Sequence, residues 1–205
     1  MHRIDQRFRH YLPVVVDVET GALEPNTAAL LEVCAVTTKM DEQGLIVPDN
    51  TYHYHVLPFP GTILDPKALE FTKIDPTYPL RFAIEEKDAM KALYDVISKE
   101  CKQKSCERAI LVGHNSWFDQ QAINAACQRN DVQRPFHRFT SLDTATLAGL
   151  IFGQTVLPKA LEAANIPYDV NEAHSALYDA TCTAELFCFM VNRYKTLGGW
   201  PYNKA

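Results

Sequence analysis

The sequence predicts an α/β fold, a mixed five-stranded sheet flanked by helices, and three observations carry that expectation. A β-branched run ends in acid near position 17, two apolar runs flank a turn signal at 41–44, and helical spacing then alternates with short apolar strands. The chain has 205 residues, 47% of them hydrophobic, enough for one sizeable core, so 1–205 reads as a single domain.

Residues 11–17, Tyr-Leu-Pro-Val-Val-Val-Asp, suit a buried strand whose end emerges at a sheet edge. Runs at 30–40 and 45–58 flank Asp41-Glu-Gln-Gly44 and predict an antiparallel hairpin. From 83 to about 106 the apolar positions Ile84, Met90, Leu93, Val96 and Ile97 keep helical spacing, and 109–113 is a second buried strand. A helix is expected over 117–130, with Asn115 and Ser116 as candidate caps. A short strand is expected near 139–143. Helices over about 158–165 and 175–197 complete the chain before Gly198-Gly199.

A net charge of −5 and a pI near 5.8 argue against a protein that coats nucleic acid nonspecifically. Positive charge is local instead, as around Arg7 and Arg9. The N-terminus has no apolar signal core, and no run approaches the roughly 18 apolar residues of a membrane span. A cytoplasmic protein with no membrane partner is expected. The six cysteines are dispersed without a Cys-x-x-Cys pair and read as reduced structural thiols. Only Cys101 and Cys106, flanked by lysines, look exposed.

Three blocks carry chemistry. Asp17 and Glu19 stand two apart at a strand end, so both carboxylates project from one face. Taken alone such a pair is weak, but open α/β sheets place ligand sites there. The second block, His114-Asn-Ser-Trp-Phe-Asp119, follows a buried strand and puts Asp119 in the first turn of a helix, aimed at the same sheet end. The third is His174-Ser-Ala-Leu-Tyr-Asp179. Five helical steps would separate its two ends by about 140°, so His174 must sit in the loop and Asp179 in the helix. Each residue by itself has an ordinary structural explanation; their combination does not. Four carboxylates can hold two Mg2+ ions about 3.5 to 4 Å apart for in-line phosphodiester hydrolysis. Asp17, Glu19, Asp119 and Asp179 are the expected metal ligands, and His174 the base that takes a proton from water.

The motifs Val-Asp-Val-Glu-Thr-Gly at 16–21, His-Asn-Ser-Trp-Phe-Asp at 114–119 and His-Ser-Ala-Leu-Tyr-Asp at 174–179 resemble those of the DEDDh 3′→5′ exonucleases. That resemblance implies an RNase H-like fold. The chain further resembles the ribonuclease T family, through 13–20, 29–32, 39–44, 153–157, 173–179 and Leu-Gly-Gly-Trp-Pro at 197–201. The resemblance implies a homodimer that trims single-stranded RNA 3′ ends, turns over transfer RNA ends and matures stable RNAs, releasing nucleoside 5′-monophosphates. Single-stranded DNA is implied as a further substrate, and the alternative is a DNA proofreading or repair exonuclease of the same superfamily. It also implies that Phe71, Phe118 and Phe139 stack on terminal bases. Where the family usually carries another ring this chain has Leu23, which offers apolar contact only. Positive segments implied to guide RNA into the partner's site are Arg7, Arg9, Lys102, Lys104, Arg108 and Arg134.

Overall fold

A computed structural model describes residues 3–199. Strand β1 (Tyr11–Thr20) is central; β2 (Leu30–Met40) and β3 (Ile46–His55) pair antiparallel beside it. Helices α1 (Pro66–Thr72) and α2 (Glu86–Gln103) lead to β4 (Arg108–Gly113), which pairs parallel with β1. Helix α3 (Trp117–Arg129) returns the chain to β5 (Phe136–Asp143), and α4 (Thr144–Phe152), α5 (Leu157–Ala164) and α6 (Ala176–Thr196) follow. The order β3-β2-β1-β4-β5 makes one mixed sheet of five strands, as the sequence predicts.

The hairpin forms because Asp41 organises its own turn: its carboxylate accepts the N–H groups of Gln43 and Leu45, and Gly44 takes φ 75°. Strands β1 and β4 are apolar on both faces since helices cover both. Helix α6 lies across β1, β2 and β3, burying Phe187 and Leu186 completely, while α2 packs with α3 and against β4. Asn192 of α6 accepts the N–H of Ile46 and donates to its carbonyl, tying the helix to the start of β3.

Several sequence expectations need correction. Ser116 occupies the N-cap of α3 but makes no capping bond; its hydroxyl donates to Ser141 Oγ, and Asn115 sits at φ 65°. Strand β5 begins at Phe136, ahead of the short strand expected near 139–143, because β4 offers it a parallel partner. Helices α1 and α4 were not anticipated: each is capped by an Asp, Asp65 and Asp143, whose side chain accepts first-turn N–H groups. Cys101 and Cys106 are buried, and burial pushes their thiols up to about 11 and about 12, so neither is a reactive surface group. Among the described residues no helix is long and apolar enough to cross a membrane. Of the 197–201 motif, Trp200 and Pro201 lie outside the described residues.

The start of α2 and the end of α3 are joined by one buried carboxylate. Glu86, 3% exposed, receives Arg129 Nη2 at 2.6 Å, Arg129 Nε at 3.0 Å and Asn130 Nδ2 at 2.6 Å. The same guanidinium lies 4.0 Å above the Phe59 ring. Glu86→Ala leaves a mostly buried cation without its partner and is expected to lower the unfolding free energy by about 2 kcal/mol or more in urea titration. A change under about 0.5 kcal/mol would place the pair among contacts of no energetic weight.

Candidate active site

Strand β1 delivers Asp17 and Glu19 to one face of the sheet, where they stand opposite Cys34 and Glu32 of β2. Helix α6 crosses that face and sets Asp179 in its first turn beside them. One carboxylate oxygen from each of Asp17, Glu19 and Asp179 lies within 4.8 Å of the others.

Asp119 arrives from the other side. It is 4% exposed in the first turn of α3, and its Oδ1 accepts the Val18 N–H at 3.1 Å. Its Oδ2 fills the space above Gly113, where an added Cβ would stand 2.9 Å from it. Glycine at the end of β4 is therefore a requirement of Asp119's placement. A fifth acid, Asp143, is near enough to raise the Asp119 pKa but is engaged elsewhere, by the Asn115 and Ala145 N–H groups and the Thr146 hydroxyl.

The electrostatics show what the arrangement lacks. Burial, then the charges of Asp119, Glu19, Asp179 and Glu32, push Asp17 well above the usual carboxylate range. Glu19 is raised to about 8 by burial and then by Asp179, Glu32 and Asp119. Asp119 reaches about 8 chiefly through burial, although backbone N–H groups, Val18's among them, pull it down. Among the described residues none of the four forms an ion pair with lysine or arginine. Like charges gathered out of water without a protein cation fit a bound divalent metal.

His174 occupies the loop before α6 at φ 67°, off the helix as the five-residue spacing requires. Its backbone N–H donates to Asp179 Oδ2 at 2.9 Å, and the Tyr168 hydroxyl donates to Asp179 Oδ1 at 3.0 Å. The carboxylate thus braces the loop that carries the histidine. The Phe71 ring lies against His174, with centroids 3.8 Å apart.

The apolar candidates divide by exposure. Leu23 is 83% exposed, Phe139 82% and Phe71 61%, whereas Phe118 is half-buried against the core and its neighbour Trp117 stands 60% exposed. The basic candidates sit at the opposite end of the parallel strands. Arg7 and Arg9 precede β1, Lys102, Lys104 and Arg108 precede or start β4, and Arg134 precedes β5, while the carboxylates sit toward the strand ends. Lys102, Arg108 and Arg134 line an open groove of about 800 Å³ together with Lys99 and Arg138. Lys104 is not available in the same way: its ammonium is held by Asp49 at 2.8 Å and by Glu100. Sequence reading also missed Tyr168, Trp117 and the Glu32, His53 and His55 group. Only the His-x-His alternation in β3 signalled any of these.

Residues 14–187 match the RNase_T family model, described as an exonuclease. The chain is 52% identical to ribonuclease T of Yersinia pseudotuberculosis, covering 100% of this chain and 96% of that one. It is 54% identical to ribonuclease T of Vibrio parahaemolyticus, covering 97% and 94%. Among solved structures it resembles E. coli exonuclease I in complex with a dT13 oligonucleotide, at TM-score 0.70 and 15% identity over 93% of this chain and 43% of that one. A full-length 3′-exonuclease superposes at TM-score 0.69 with 20% identity, covering 89% and 82%. These distant likenesses establish the RNase H-like exonuclease fold, and the close ones establish that the chain belongs to the ribonuclease T family of exonucleases.

Proposed function

We propose that the protein is a metal-dependent 3′→5′ exoribonuclease that trims single-stranded 3′ ends of RNA, transfer RNA and other stable RNAs included. The observation that carries the chemistry is the meeting of Asp17, Glu19 and Asp179 within 4.8 Å, with Asp119 beside them. The identity to ribonuclease T over the whole chain supports RNA as substrate.

Asp17, Glu19, Asp119 and Asp179 hold the metal, two Mg2+ ions in this reading, with oxygen ligands of the kind magnesium prefers. A divalent cation held by these carboxylates would supply charge neutralisation at the phosphate, a more acidic attacking water and stabilisation of the leaving 3′ oxygen. His174 accepts the proton of that water. Its place on a loop braced by Asp179 keeps the imidazole at the edge of the acidic cluster, and the contact with Phe71 limits its swing. The product is a nucleoside 5′-monophosphate.

Leu23, Phe71 and Phe139 offer exposed apolar surface for terminal bases, and Phe118 supports them from the half-buried side. Rings that grip bases do not read the sugar, so single-stranded DNA 3′ ends fall within the substrate range. The basic groove lies about 20 Å from the carboxylates along the strands, given about 3.3 Å per residue. It serves RNA best if a second subunit supplies it, and a homodimer is the proposed working form. Within it Arg7, Arg9, Lys102, Arg108 and Arg134 contact phosphates. Lys104, fixed by its ion pairs, contributes least.

Asp17→Asn and Asp179→Asn are expected to abolish digestion of a 3′-single-stranded RNA in Mg2+, and His174→Ala to lower kcat by about 10²–10⁴-fold. Retained activity in any of the three would sink the mechanism. Phe139→Ala should raise KM for RNA by about 5- to 150-fold with a smaller change in kcat, matching about 1–3 kcal/mol of stacking. An unchanged KM removes that ring from the substrate path.

The metal-free protein carries a pH signature. Glu19 and Asp119 titrate near 8 when folded, against ordinary carboxylate values unfolded. Their folded pKa values are raised, so the associated stability is present at low pH and is lost as pH rises through about 8. His55 and His114 have lowered pKa values and act in the opposite sense, but only below the ordinary histidine value of 6.5. Between about pH 7 and 8.5, therefore, Tm of the metal-free protein should fall, and saturating Mg2+ should flatten the fall. A metal-free Tm that rises over that window contradicts the unpaired-carboxylate picture.

A further inference from the structure

On the same sheet face as the acidic cluster, a second set of polar side chains spans β2 and β3. Strand register sets Glu32 directly opposite His55, and His53 projects from the same face two residues earlier. A His-x-His pair on one strand and a carboxylate on its neighbour bring three donor groups together with no departure from regular sheet. His55 Nδ1 lies 2.9 Å from Glu32 Oε1, and His53 Nε2 lies 3.5 Å from Oε2. Each of the three residues offers one such atom within 4.8 Å of the other two.

These approaches are not hydrogen bonds. His53 Nε2 and His55 Nδ1 are both out of water, and neither has a hydrogen-bond partner. For His55 the separation is short enough for a bond, so direction is what fails: the nitrogen stands beside the carboxylate oxygen without being aimed at it. Two buried ring nitrogens left over against a buried carboxylate are costly unless something is shared among them.

A metal ion satisfies all three at once. Four-coordinate zinc holds nitrogen and oxygen ligands about 2.0–2.1 Å away, which sets those atoms about 3.3 Å from one another. The observed 2.9 and 3.5 Å bracket that spacing. Imidazole ligands favour a borderline transition ion over magnesium, which separates this group chemically from the all-carboxylate cluster. The ion has a way in, since the His53 and His55 side chains are 20% and 35% exposed although their facing nitrogens are covered. Arg81 counts against a cation, because its Nη2 donates to the Leu31 carbonyl at 2.8 Å and so brings positive charge beside Glu32. Glu19, paired with Glu32 across β1 and β2, supplies an opposing negative charge.

We propose that Glu32, His53 and His55 form a zinc site, distinct from the four catalytic carboxylates, that clamps the edge strand β3 to β2 and leaves a fourth position to water.

Equilibrium dialysis of the full chain against Zn2+ alone, with excess Mg2+ to occupy the acidic cluster, tests this by metal analysis. One Zn2+ per chain is expected, bound at least about 100-fold more weakly by His53→Ala and by His55→Ala, and retained by Asp17→Asn. Zn2+ should raise Tm of the unsubstituted protein but not of His55→Ala. Co2+ in its place should give the visible absorption of four-coordinate cobalt, lost in His55→Ala. Where an alanine variant does not fold, Glu32→Gln, which keeps the shape and removes the charge, should weaken zinc by at least about tenfold. Zinc held equally well by the histidine variants and Glu32→Gln, or lost only in Asp17→Asn, would assign the ion to the acidic cluster and overturn the proposal. So would the absence of bound zinc at about 10 μM free metal, which would leave water as the partner of the two ring nitrogens.

Discussion

The structure is arranged around one unfavourable interaction, the gathering of Asp17, Glu19, Asp119 and Asp179 largely out of water, with no lysine or arginine among the described residues paired to them. Several like charges this close raise one another's pKa and weaken the fold that holds them. The sheet makes this tolerable by spreading the burden. Asp17 and Glu19 ride on a central strand hydrogen-bonded on both sides, Asp119 is tied to the Val18 backbone, and Asp179 is occupied by the His174 N–H and the Tyr168 hydroxyl. A divalent cation bound there would relieve the same repulsion that makes the cluster costly without one.

The topology explains why these residues can meet although they lie far apart in sequence. Strands β1 and β4 run parallel, so their ends fall together at one edge, and the turn after β4 opens α3 directly over it. Gly113 is the point of closest approach, since any side chain there would displace Asp119. Helix α6 supplies the last carboxylate and, one turn earlier, the loop that carries His174. Asp179 is fixed within the first turn of that helix, whereas His174 stands on the loop before it, against the Phe71 ring.

Much of this was legible in the chain. The paired acids after an apolar strand, the Asp one turn into a helix, and the His-to-Asp spacing that excludes a common helix face all follow from period and geometry, and the five strands follow from alternation and turn chemistry. What escaped was non-local. Helix α1 is too short to show a period, and α4 is signalled only by an Asp cap and Gly153. The extra length of β5 depends on β4 as a partner. Cys101 and Cys106 looked exposed beside lysines, but the lysines turn outward or into ion pairs and the thiols turn in. Lys104 was read as free charge because Asp49 and Glu100, which hold it, come from a strand and a helix whose packing no local pattern reveals.

The same limit bears on substrate choice. Charge count alone makes this an acidic protein, ill suited to a polyanion, yet Lys99, Lys102, Arg108, Arg134 and Arg138 line one groove near the start of the parallel strands, and the four site carboxylates lie toward the strand ends. Among the described residues, that separation leaves the four site carboxylates without a lysine or arginine ion pair. The exposed apolar side chains Phe71, Phe139 and Leu23 offer contact of a different kind from charge. Stacking tolerates any base and releases readily, which suits an enzyme that must let go of each product and take the next terminal nucleotide. Leu23 is the one of these three side chains that has no ring, so it offers apolar contact without stacking.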